Sequence, residues 1–91
     1  MNRKDFSLKE IMDVEFEDFI CNDCWNWREK KNEAECLGIP KQEMLGKIVV
    51  IGICKECLPK KNWEALHVTL YYEKEFNSFR DTLNIEKIMD V

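Results

Sequence analysis

No apolar run in the 91 residues approaches the ~20 residues of a membrane span. The longest, Ile48-Val49-Val50-Ile51-Gly52-Ile53, has the length of a strand, so a membrane protein is not expected. Met1-Asn2-Arg3-Lys4-Asp5 opens no apolar leader run, and the expected setting is the cytoplasm, or the host cytoplasm if the chain is phage-encoded. The bias to lysine and asparagine suggests an AT-rich genome, such as that of a low-GC bacterium or its phage. Histidine is nearly lacking: His67 is the only one, and without an obvious nucleophile it makes no triad. No phosphate-binding loop, paired-carboxylate signature or open metal site is legible, so no enzyme is expected. Positive charge is in deficit, with a formal net charge of −4.

What is present is cysteine in pairs. Cys21-Asn22-Asp23-Cys24 and Cys54-Lys55-Glu56-Cys57 are separated by 29 residues. Two residues between cysteines let both sulfurs of a pair reach one ion from a tight turn. Two pairs make a closed tetrahedral set of soft thiolates, which suits one structural Zn²⁺. Such a site leaves no position for water or substrate. The competing readings are two disulfides, which need an oxidising compartment, and a redox dithiol, for which two pairs are one too many. The fifth cysteine, Cys36, reads as a buried or free thiol.

At this length one domain is expected, near the lower limit for a self-sufficient core. Bound zinc would then supply folding free energy. Three segments are expected within it: a helical stretch over 1–20, a zinc core over 21–60 and a largely helical stretch over 61–91. Charge follows the same division. Residues 1–20 carry −3, residues 21–47 balance, residues 48–62 carry +2 and residues 63–91 carry −3. Acidic ends disfavour a phosphate backbone and favour a basic protein partner.

Ser7-Leu8-Lys9-Glu10 is a capping box, and the apolar spacing predicts a helix from about Leu8 to Phe19. Trp25 and Trp27 are expected to shield the thiolates, with base stacking as the sharper alternative. From Trp27 to Leu37 the residues favour a helix or an ordered excursion ending at Gly38. Lys47 to Ile53 reads as a buried strand, with Gly52 turning the chain into the second cysteine pair. Pro59 marks a place for a helix to begin, and Asn62 suits an N-cap. Trp63 to Leu83 fits a long amphipathic helix; a strand over 67–72 followed by a helix from about Glu73 is the competing reading. Ser7–Val14 and Asn84–Val91 share the pattern cap, aliphatic, two charges, Ile-Met-Asp-Val.

The layout of two CxxC pairs, an intervening strand and a following Pro59 resembles treble-clef and zinc-ribbon modules over about residues 20–75. It is also similar to small bacterial anti-sigma factors of the Gin type, which have two pairs followed by a helix. Trp25 and Leu58 stand where those knuckles commonly have glycine, and the connection is longer. The resemblance implies an α+β fold with a small zinc-stabilised core, and helical N- and C-terminal extensions.

The expected function is a small zinc-binding regulator or inhibitor acting on another protein. The alternative is a nucleic-acid-binding zinc ribbon, for which Lys55, Lys60 and Lys61 make a thin footprint. The aromatics between Trp63 and Leu83 fall on more than one helical face. A partner or homodimer surface is therefore expected at Tyr71, Tyr72 and Phe76, rimmed by Glu73, Glu75 and Asp81.

Overall fold

Four short strands, the two central ones buried on both faces, assemble into one antiparallel sheet. The computed structural model describes residues 1–41 and 46–89, with side chains described up to residue 83. The strands are β1 (Arg3–Phe6), β2 (Cys36–Pro40), β3 (Ile48–Ile53) and β4 (Val68–Tyr71), in the spatial order β1-β3-β2-β4. Arg3 lies opposite Ile51, Leu37 opposite both Gly52 and Tyr71, and Gly38 opposite Leu70. Alternation then sends Phe6, Leu37, Ile39, Ile48, Val50 and Tyr71 to one face, and Cys36, Ile53, Val68 and Leu70 to the other. These two sets belong to two separate apolar clusters. The mixed α and β content agrees with the expected class. Both sheet edges come from outside the stretch 21–60.

The expected strand over Lys47–Ile53 is present as β3. The helix over Leu8–Phe19 is not. The capping box forms as read, with the Ser7 hydroxyl accepting from the Glu10 N–H at 3.1 Å and the Glu10 carboxylate accepting from the Ser7 N–H at 3.3 Å. Yet α1 covers only Leu8–Ile11, and a separate 3₁₀ turn follows at Phe16–Asp18. Ile11, Val14 and Phe19 are the buried members, and they reach the core from the end of α1, the link after it and the end of the 3₁₀ turn rather than from one continuous helix. Tertiary burial overrides the local pattern. The N-terminal segment is thus not a helical extension, because β1 makes it part of the sheet.

Of the helix or ordered excursion expected from Trp27 to Leu37, the excursion is present, and the helix lies earlier. The helix α2 runs Asn22–Arg28 and stops at Glu29, whose φ of 53° is left-handed. Gly38 is no helix terminator but a strand residue. A Cβ there would lie 2.8 Å from Val68 Cγ1 and 3.0 Å from Ile53 Cδ1, so the missing side chain leaves room for two neighbours. Of the two readings of Trp63–Leu83, the second holds: β4, then α3 (Glu73–Met89). Asn62 caps a turn, accepting from the Ala65 N–H at 3.1 Å, and Pro59 opens a single 3₁₀ turn, Leu58–Lys60. Asp90 and Val91, which end the second Ile-Met-Asp-Val, lie outside the described residues.

Helix α3 presents Phe76, Phe79 and Leu83 to the first cluster. Phe76 is 0% exposed, with the Phe16 ring tilted against it at 6.4 Å. The Arg80 guanidinium lies 5.1 Å from the Phe76 centroid, donates to the Val14 carbonyl and donates to Asn77 Oδ1 at 2.7 Å. It thereby ties α3 to the irregular chain after α1.

Candidate metal centre

The second cluster is built around sulfur. Cys21 is the residue before α2, and Cys24 lies in its first turn, so one turn of helix brings the two onto one side. Cys54 directly follows β3. The Cys57 and Leu58 N–H groups donate back to the Cys54 carbonyl at 3.2 and 3.0 Å, folding the second pair into a tight turn. The two pairs meet because Ile20 runs against β3. A Cβ on Gly52 would lie 2.0 Å from the Ile20 carbonyl oxygen. Gly52 is therefore required for this close approach, one residue before the first ligand, rather than for a turn into the second pair.

The sulfurs of Cys21, Cys24, Cys54 and Cys57 all lie within 4.8 Å of one another. Cys24 Sγ is 3.6 Å from Cys54 Sγ and 3.7 Å from Cys57 Sγ. A tetrahedron with Zn–S bonds of ~2.3 Å has sulfur–sulfur edges of ~3.8 Å, so these separations fit such an ion. All four residues are buried, at 5% exposure or less. This group can hold a metal ion, which supports a zinc-binding protein and the expected ligand set. Cys36 and His67 stand outside the group: Cys36 is fully buried in β2, and His67 is exposed at a left-handed φ of 57°.

The electrostatics also call for a cation. Burial pushes the Cys21 thiol up, against hydrogen bonds from the Cys24 and Cys54 backbone. Burial, followed by its thiol neighbours, likewise pushes up Cys57. At Cys54 burial also opposes ionisation, but the Cys57 backbone N–H and the neighbouring thiols outweigh it and bring the group down to about 7. One thiolate is thus readily formed. Four within 4.8 Å of one another cannot all ionise without a positive ion among them. Cys36, pushed up to about 11 by burial and then by the Glu35 and Cys21 charges, is an inert packing thiol.

The surroundings differ from expectation. Trp25 is 37% exposed and Trp27 is 84% exposed. On α2 they stand at i+4 from Cys21 and i+3 from Cys24, flanking the cysteines without covering them. The shielding indole is Trp63, at 9% exposure, which donates from Nε1 to the Leu58 carbonyl at 2.9 Å. Ile53, Leu58, Val68 and Leu70 complete the dry side. Asn32, which the sequence did not single out, donates from Nδ2 to Cys24 Sγ at 3.3 Å. Such a contact orients and stabilises a thiolate. Lys61 meets Asp23 at 2.9 Å, and Lys55 and Lys60 are exposed.

The residues expected at a partner surface separate. Tyr72, at 43% exposure, is on the outside with Glu73, Glu75 and Asp81. Tyr71 is half-buried against Phe79, with ring centroids 5.0 Å apart. Phe76 fills the core, because the N-terminal residues around Phe16 cover that face of α3 within the chain. Among the described residues no helix is long and apolar enough to cross a membrane. No family model, curated protein or solved structure matches the chain.

Proposed function

We propose that this chain holds one structural Zn²⁺ at Cys21, Cys24, Cys54 and Cys57, and acts in the cytoplasm as a small regulator or inhibitor by binding another protein. The observation that carries the reading is the closed, buried set of four sulfurs within 4.8 Å. Thiolates select a soft ion, and four of them fill a tetrahedral shell. The ion then stabilises the fold and leaves recognition to the surface. The layout shared with Gin-type anti-sigma factors supports a regulatory role. On α3 and just before it, Tyr72, Glu73, Glu75 and Asp81 form an acidic surface suited to a basic protein partner or to a second copy.

Native mass spectrometry tests the metal: one zinc per chain is expected, unchanged by Cys36→Ser. A folded, metal-free chain would overturn the assignment, and loss of zinc in Cys36→Ser would show a different ligand set. For the surface, Glu73→Lys with Glu75→Lys is expected to weaken pull-down of a basic partner or self-association. A variant that folds and keeps every partner and the same oligomeric state would refute it.

A further inference from the structure

The sheet has two unlike edges. On β1, Arg3, Lys4 and Asp5 are charged and exposed, which protects an edge against strand pairing. On β4, Val68-Thr69-Leu70-Tyr71 carries no charge, and Leu66 and Tyr72 beside it are 56% and 43% exposed. Backbone parity shows what this edge offers. The Lys41 N–H donates to the His67 carbonyl at 2.9 Å, so Thr69 and Tyr71 also turn their backbone polar groups to β2. Val68, Leu70 and Tyr72 turn theirs outward. Two of these outward groups are satisfied within the chain. The Val68 N–H donates to the Trp63 carbonyl at 2.9 Å, and the Tyr72 carbonyl accepts from the Phe76 N–H at 2.8 Å. The Leu70 N–H, the Leu70 carbonyl, the Val68 carbonyl and the Tyr72 N–H have no protein partner among the described residues.

We propose that β4 pairs antiparallel with β4 of a second copy about a two-fold axis at Leu70, joining the two sheets edge to edge. The leftover groups select this occupant. In that register each Leu70 N–H donates to the other copy's Leu70 carbonyl, and each Tyr72 N–H donates to the other copy's Val68 carbonyl. The remaining bond of the Val68–Tyr72 pair would need the Val68 N–H and the Tyr72 carbonyl, the two groups already bonded within each chain. Every free donor and acceptor is thus used once. Leu70 packs on Leu70 and Tyr72 on Val68, all on one face of the joined sheet. No like charges meet. A two-fold pairing of β1 centred on Arg3, Lys4 or Asp5 would set that residue against its own copy. The chain also leaves the edge for α3 at Glu73, where the turn before Val68 closes the edge of the other copy. Of the acidic surface described above the pairing uses only Tyr72, and it does not depend on binding to a different protein.

Sedimentation velocity of the zinc-loaded full chain over a concentration series tests this, with amide hydrogen exchange followed by NMR on the same samples. The mass should double as concentration rises. Exchange at the Leu70 and Tyr72 amides should slow at least about tenfold as the dimer forms. The Thr69 and Tyr71 amides, bonded to β2, should be protected at every concentration. Tyr72→Pro removes the outward donor but keeps the carbonyl that accepts from Phe76, and the extended Tyr71 before it suits a proline. This variant should stay monomeric with unchanged zinc content, whereas Tyr72→Ala, which keeps the N–H, should weaken the dimer less. Should Tyr72→Pro not fold, exchange in the unaltered protein still decides. A monomer at every concentration would overturn the pairing, whether or not its Leu70 amide is protected, and would leave the zinc-binding regulator standing. A dimer whose Leu70 and Tyr72 amides exchange freely, and which Glu73→Lys with Glu75→Lys disperses, would also overturn it and place self-association on the acidic surface.

Discussion

On one face of the sheet, Phe6, Leu37, Ile39 and Val50 lie under Ile11, Val14, Phe19 and Phe76; on the other, among the described residues, the buried hydrophobics that cluster with the five cysteines are Ile53 and Trp63. Each large side chain buried in the first cluster contributes about 1.5–3 kcal/mol, and together they make a core of ordinary kind. The second has too few such groups, and its sulfurs repel ionisation unless a cation joins them. Structural zinc in finger peptides binds with about 10–16 kcal/mol of apparent free energy at neutral pH. On the proposed metal assignment, one face of the sheet is held by apolar burial and the other by coordination. The two clusters share β2 and β3, so they are unequal in chemistry but not independent in stability.

Removing the metal breaks the comparison most severely. A strong chelator should abolish the fixed environment of Trp63 and the hydrogen-exchange protection of α2 and residues 54–61, and the first cluster should follow at lower temperature than in the zinc-loaded protein. Near-ultraviolet circular dichroism and hydrogen exchange read both events. An unchanged Trp63 signal in metal-free protein would show that packing alone holds this face.

Phe76→Ala attacks the other face. A cavity there should cost about 3–5 kcal/mol, measured by urea unfolding, while the folded fraction still carries one zinc. Gly52→Ala attacks the join. The added methyl would overlap the Ile20 carbonyl, and overpacking of this kind costs about 1–3 kcal/mol, more where backbone must move. Because Ile20 adjoins Cys21, this variant should also lower zinc affinity in a competition titration, whereas Phe76→Ala should act on stability first.

The four-cysteine group was legible because CxxC spacing encodes a local geometry. The strand β3 was legible because four β-branched residues in a row tolerate little else. The join was not. Arg3-Lys4-Asp5-Phe6 has three charges in four residues and becomes β1 only because the β3 edge is waiting. Gly52 suggested a turn, but its missing side chain answers to Ile20, 32 positions away in sequence. Trp25 and Trp27 were expected to shield the sulfurs because they are neighbours in sequence. The distant Trp63 does so, buried in the sulfur cluster while Trp25 and Trp27 stay exposed on α2. Phe76 was expected at a partner surface because the sequence does not show that the residues around Phe16 cover it within the chain. In each case the missing information was a long-range contact, which period and composition do not carry.

The smallest effect sharpens the comparison by touching one face alone. Ser7 closes the first turn of α1, accepting from the Glu10 N–H, while its own N–H donates to the Glu10 carboxylate. Hydrogen bonding from the Ser7 hydroxyl, and then from the Ser7 N–H, holds the Glu10 carboxyl below its usual 4.5. A carboxyl lowered in the folded state contributes stability above its unfolded value, and loses it as pH falls through the folded one. Ser7→Ala removes the hydroxyl cap and should cost about 1 kcal/mol at neutral pH. In the variant the Glu10 titration, followed by NMR, should move back toward 4.5, and the stability difference between the two proteins should shrink as Glu10 protonates at low pH. The helix it caps delivers Ile11 to the apolar cluster and reaches none of the cysteines. Zinc affinity should therefore be unchanged. A fall in affinity as large as the fall in stability would mean that the two faces respond as one unit even to a surface cap, and that the division between burial and coordination has no energetic meaning.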